Sequence, residues 1–121
     1  MYITKISDIT NSGIEYLWKS EKGTVQNEGS IDWAEIHTAD AFKRDLFGYD
    51  LICLQLSKKD EDEGIEVDEE DPKWNELMIE LPKNMGGFKE WTSWFSEVAF
   101  PAFEANLTRV YERNERKLYE S

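Results

Sequence analysis

The sequence predicts an α+β domain: an antiparallel meander of about five to six strands, packed with two helices in the C-terminal half. Three observations carry this. The first 60 residues hold short alternating runs separated by turn residues. In the densest apolar run, Tyr49 to Leu56, the residues Leu51, Ile52, Cys53, Leu54 and Leu56 leave only Gln55 as a polar break among them, with no helical stripe, so it reads as a strand covered on both faces. Beyond it, two segments repeat apolar residues at i, i+3, i+4 and i+7, each followed by a proline.

Taken in order, Tyr2 to Ile6 reads as a short strand and Ser7 to Gly13 as a turn-rich link. Ile14 to Lys19 alternates Ile14, Tyr16 and Trp18 against Glu15, Leu17 and Lys19, a second strand. Ser20 to Gly23 suits a hairpin turn into Thr24 to Gln26, and Asn27 to Gly29 suits another turn. Two readings are open for Ile31 to Leu46. Ser30 can cap a helix that buries Trp33 and Ile36, or the segment alternates as a strand over Ile31 to Arg44 with a bulge; tight turns on either side favour the strand. Gly64 to Val67 is expected to pair back on the central strand.

Asp71 is placed to cap the first helix with Pro72 at its first position. Trp74, Leu77, Met78 and Leu81 form its buried stripe, and Pro82 is expected to end it. Asn84 to Gly87 make the loop. A second helix over about Lys89 to Ala99 carries the stripe Trp91, Trp94, Phe95 and Val98, stopped by Pro101. Leu107 to Arg113 reads as a last strand, with Val110 facing one way and Arg109 and Tyr111 the other. Residues 1–113 are thus expected to form one domain, and 114–121 a polar tail.

Net charge and cysteine usage bound the function. The chain has 121 residues, a net charge of −12 and one cysteine. That charge repels nucleic acid and anionic membranes and suits a basic protein partner. A lone cysteine excludes an internal disulfide, and a lone histidine, His37, excludes a multi-histidine metal centre. No apolar run approaches the roughly 20 residues of a membrane span, and the first residues lack the basic and apolar regions of a signal peptide, so a cytoplasmic protein is expected.

Asp60 to Asp71 holds nine carboxylates in twelve residues and no base: Asp60, Glu61, Asp62, Glu63, Glu66, Asp68, Glu69, Glu70 and Asp71. The bland reading is a solvated loop. The functional one is a docking surface for a basic partner, with Trp18 near a hairpin end as an aromatic anchor. A calcium loop is disfavoured, because placing Gly64 at its sixth position puts Lys59 where an aspartate is needed. The basic patch Phe42 to Arg44 can pair with the acidic segment across the sheet. Enzymatic readings are weaker. Cys53 and His37 can in principle form a thiolate pair, but Cys53 lies within the apolar strand, where a buried inert thiol is the ordinary outcome. There is no phosphate-cradling glycine loop, and Met85 to Gly87 is a helix connector.

Trp33 to Ile36, Phe42 to Leu46 running into Asp50 to Leu54, Trp74 to Pro82, Gly87-Phe88, Val98 to Phe103, Asn106 to Thr108 and Val110 to Arg113 together resemble a family of small uncharacterised bacterial proteins. The resemblance spans about Ser30 to Arg113 and is most specific in the VAFPAF and NLT segments. It implies a pleckstrin-homology-like α+β fold without established catalytic residues. Some similar small acidic proteins serve as immunity partners of toxins. The expectation is therefore a non-enzymatic immunity-type inhibitor of a basic, nucleic-acid-degrading toxin domain, without a cofactor. A structural or scaffold module is the alternative, and a carboxylate-dependent hydrolase a more distant one.

Overall fold

In a computed structural model of the chain, residues 2–19, 26–46, 48–60, 63–99 and 107–113 are described. The fold is α+β. Strands β1 (Tyr2–Ile9), β2 (Gly13–Lys19) and β3 (Gln26–Asp32) form one antiparallel meander. Strands β4 (Thr38–Asp45), β5 (Asp50–Ser57) and β6 (Gly64–Asp68) form a second, and β7 (Thr108–Glu112) adds antiparallel to β4. A short parallel pairing, Tyr2 with Ile65 and Ile3 with Glu66, joins the two into the order β3-β2-β1-β6-β5-β4-β7. Helices α1 (Trp74–Asn84) and α2 (Trp91–Ala99) lie between β6 and β7 in sequence.

One core cluster unites both meanders and both helices. Ile6, Ile14 and Ile31 come from β1 to β3, Ile52, Leu54 and Leu56 from β5, and Ile65 and Val67 from β6. Trp74, Leu77, Met78 and Leu81 from α1, with Trp94 and Val98 from α2, pack on them. In β1 the pairing shifts between Ile6 and Asp8, so Ser7 is skipped and both Ile6 and Ile9 reach the core despite a spacing of three.

Several expected details change. There are seven strands among the described residues rather than five or six. Asn27 to Gly29 are strand, not turn: Gly29 faces Tyr16, and a Cβ there would sit 2.7 Å from the tyrosine ring, so this glycine makes room for an aromatic. The expected hairpin turn at residues 20–23 lies outside the described residues. Neither a continuous strand nor a helix fills Ile31 to Arg44. A single 3-10 turn at Trp33–Glu35 separates β3 from β4. The Asp32 N–H donates to the Glu35 carboxylate at 3.0 Å, and Trp33 and Ile36 bury together.

Helix α1 starts at Trp74, not beside Asp71. Asp71 instead accepts the Lys73 N–H at 2.9 Å and the Ile6 N–H at 2.8 Å, tying the turn before the helix to β1. Pro82 does not end α1. The helix continues to Asn84, because proline in the last turn sacrifices one backbone donor while Met85 N–H still closes on Leu81 O at 2.9 Å. In α2, Trp94 and Val98 are buried, but Trp91 is 44% exposed and is the first residue of the helix. Val110 and Tyr111 are both buried, because the β4–β7 register slips between Ala39 and Asp40.

Strand β5 is flanked by β4 and β6, and Leu51 to Leu54, Leu56 and Ser57 are buried. Its two faces differ. Ile52, Leu54 and Leu56 belong to the helix-covered core, whereas Leu51 and Cys53 do not. On that opposite face the neighbours in register are Arg44 and Phe42 on β4 and Asp68 on β6. Long side chains of adjoining strands lie alongside Cys53.

Candidate docking surface

The acidic segment is divided by β6. Ile65 and Val67 enter the core, so Gly64 and Asp68 stand at opposite ends of a strand about 13 Å long. Asp60 and Glu63 lie exposed at the β5–β6 connection, which is closed by the Lys58 N–H donating to Glu63 O at 2.8 Å and the Glu63 N–H to Asp60 O at 2.9 Å. Glu61 and Asp62 lie outside the described residues.

Glu66 is 6% exposed, and its carboxylate faces the Arg44 guanidinium. Arg44 Nε donates to Glu66 Oε2 at 3.1 Å, and Nη2 donates to Oε1 of the same carboxylate. Arg44 also lies 5.2 Å over the Phe42 ring. The bidentate pair raises the arginine pKa, chiefly through the hydrogen bond to Glu66. This is the cross-sheet pairing expected of the basic patch. Lys43 points to the other face, where its ammonium donates to Ala99 O at 2.9 Å and approaches Asp50 at 3.4 Å, anchoring the end of α2.

The far end of β6 has a different character. Asp68 is half-buried and accepts the Glu70 N–H at 2.9 Å; burial, with Glu70, Asp71 and Glu66 nearby, raises its pKa. Glu69 accepts the Ile52 N–H at 3.2 Å. Glu70 is exposed. Asp68, Glu70 and Asp71 border a shallow hollow with Thr4, Lys5 and Pro72.

Next to this end runs an apolar groove between α1 and α2. Two adjoining hollows of about 360 and 370 Å³ share Met78, Ile79 and Trp91. Trp74 and Phe95 line one of them with Glu69, while Pro82, Lys83 and Glu90 line the other. Ile79 is 65% exposed, and the Trp91 ring packs edge-on against Phe95 at 5.5 Å. The helical spacing predicts a core position for Trp91 and none for Ile79. The available signal was position: Ile79 is a large aliphatic that falls off the Trp74–Leu77–Met78–Leu81 stripe.

Trp18, the expected anchor, is only partly exposed on β2, opposite Thr4 and Asn27. In the strand order β1 stands between Trp18 on β2 and the acids of β6, and the hydroxyl of its partner Thr4 donates to Glu66 O at 3.2 Å. His37 and Cys53 are not brought together. His37 precedes the Thr38–Ser57 pair, while Cys53 lies opposite Phe42, about 16 Å further along the strands. Burial pushes the Cys53 thiol up to about 12, so it stays protonated at neutral pH. Among the described residues no group of three or more His, Cys, Asp or Glu side chains is arranged to hold a metal ion, and no helix is long and apolar enough to cross a membrane. No family model, curated protein or solved structure matches the chain.

Proposed function

We propose that the chain is an acidic protein-binding module, acting as an immunity-type inhibitor that neutralises a basic, nucleic-acid-degrading toxin domain. The observation that carries this reading is the pairing of surplus negative charge with exposed apolar surface. Asp60, Glu63 and Glu70 are exposed, and Glu66, Glu69 and Asp71 face Arg44 or accept from backbone donors. Next to the Asp68 end of β6, where Glu69 lines the groove, Ile79 and Trp91 supply the apolar contact area that acids alone lack.

The chemistry of the proposed target complements this surface. A nuclease holds phosphates on a cationic surface, and an acidic protein that covers that surface competes by charge and shape. Charge speeds and orients the encounter; the apolar groove slows dissociation.

The test is inhibition. A basic protein captured by the chain is purified and assayed for nucleic-acid degradation with increasing amounts of the chain. The reading predicts stoichiometric loss of degradation. A captured protein whose degrading activity is untouched by excess chain would refute the inhibitory role.

A further inference from the structure

We infer that the groove between α1 and α2 receives a cationic, amphipathic segment of the partner protein, which seats one large apolar side chain between Ile79 and Trp91. This rests on the reading of the chain as a protein-binding module and specifies how the partner is held.

Four features point to that occupant. The floor and walls are apolar: Trp74 and Met78 beneath, Ile79, Trp91, Phe95 and Pro82 around. Hollows of about 360 and 370 Å³ lie near the lower end of small-molecule sites, roughly 300–1,000 Å³, and suit a side chain. Glu69 borders one hollow and Glu90 the other, and among the described residues the one base that lines them, Lys83, has its ammonium 3.8 Å from Glu80. A segment entering the groove thus meets carboxylates on both sides of its apolar contact. Finally, the chain carries −12, so a second copy or an anionic lipid surface approaching this face is repelled, whereas a basic segment is drawn in.

The arrangement matches the way amphipathic segments are commonly held, with apolar anchors in a groove and polar residues at its rim. Edge-on packing against Phe95 limits the orientations open to the Trp91 ring, which lowers the cost of ordering it on binding.

The experiment uses two synthetic amphipathic peptides with the same leucine and tryptophan face. One carries lysines on its polar face, the other glutamates. Each is titrated calorimetrically into the full chain and into Ile79→Gln and Trp91→Ala, both at exposed positions; circular dichroism confirms that the variants fold. The lysine peptide is expected to bind saturably, each substitution to weaken it about ten-fold, as for a truncated anchor, and the glutamate peptide not to bind. Equal affinity of the lysine peptide for all three chains would overturn the proposal, as would no binding of that peptide or equal binding of the glutamate peptide. Concentration-dependent dimerisation lost in Ile79→Gln would overturn it too, by making a second copy the occupant. The two readings fail separately. Normal toxin inhibition by Ile79→Gln sinks the groove and leaves the inhibitor, while groove-dependent peptide binding by a chain that inhibits nothing sinks only the inhibitor.

Discussion

Asp68 shows how one carboxylate in an acidic segment can be structural and yet costly. Burial raises its pKa, so the ionised form opposes folding. For an acid whose folded pKa exceeds its unfolded value, the stabilising contribution is complete below the unfolded pKa and fades as pH rises through the folded one. Asn at this position keeps a carbonyl oxygen for the Glu70 N–H and carries no charge. Asp68→Asn is therefore expected to raise the denaturation midpoint at pH 7, with the difference vanishing below the ordinary aspartate value of 3.8. Urea titrations of both proteins at the two pH values check this, and a lower midpoint for the variant at pH 7 would show that the charge is compensated. Cys53 makes a second residue-scale case. With a pKa pushed up to about 12 by burial, it is expected to react with a thiol reagent far more slowly in the native chain than in denaturant. Comparable labelling rates would mean that the strand face bearing Cys53 is open.

At the scale of elements, the helices were legible in sequence and the β connections less so. The stripe of α1 is buried as its spacing predicts, because four large apolar side chains on one helical face have nowhere else to go. Trp91 followed the same spacing and yet is partly exposed, since it opens α2 and lies at the outer end of its stripe. Gly29 reads as a turn residue by composition and serves as a packing space beneath Tyr16, a cause visible only once the β2–β3 register is known. The 3-10 turn after β3 is not legible in the sequence because it is three residues long and interrupts an otherwise plausible alternation. Gly64 is the element-scale counterpart. At φ 155° its missing Cβ leaves space for Leu56 O, which would lie 2.2 Å from an added methyl. Gly64→Ala is expected to cost at least about 2 kcal/mol by forcing β6 away from β5. Chemical denaturation measures this, and a loss under about 0.5 kcal/mol would mean that the connection relaxes freely.

For the whole molecule, charge and topology separate what the acidic segment does. Its composition showed where most of the net charge sits, but not that a core-forming strand runs through its middle. Ile65 and Val67 were the readable signal of β6, and pairing with β5 gave them a place. The pairing of Glu66 with Arg44 was foreshadowed by the basic patch, while the commitment of Glu69 and Asp71 to backbone donors depends on turns that no spacing rule supplies. The apolar groove is not legible in the sequence because the two helix stripes account for the core without specifying how the helices' outer faces meet. Asp60 and Glu63 lie exposed at the β5–β6 connection and Glu70 beyond the opposite end of β6, the end next to the apolar groove, and these acids are proposed to steer a basic partner. The most direct test compares the chain with a variant carrying Asp60→Asn, Glu61→Gln, Asp62→Asn and Glu63→Gln, measuring association with the captured basic partner at low and high salt. Steering predicts slower association for the variant at low salt and a flatter salt dependence, with folding unchanged. Equal rates and equal salt slopes would contradict it and leave these four acids as solvated surface.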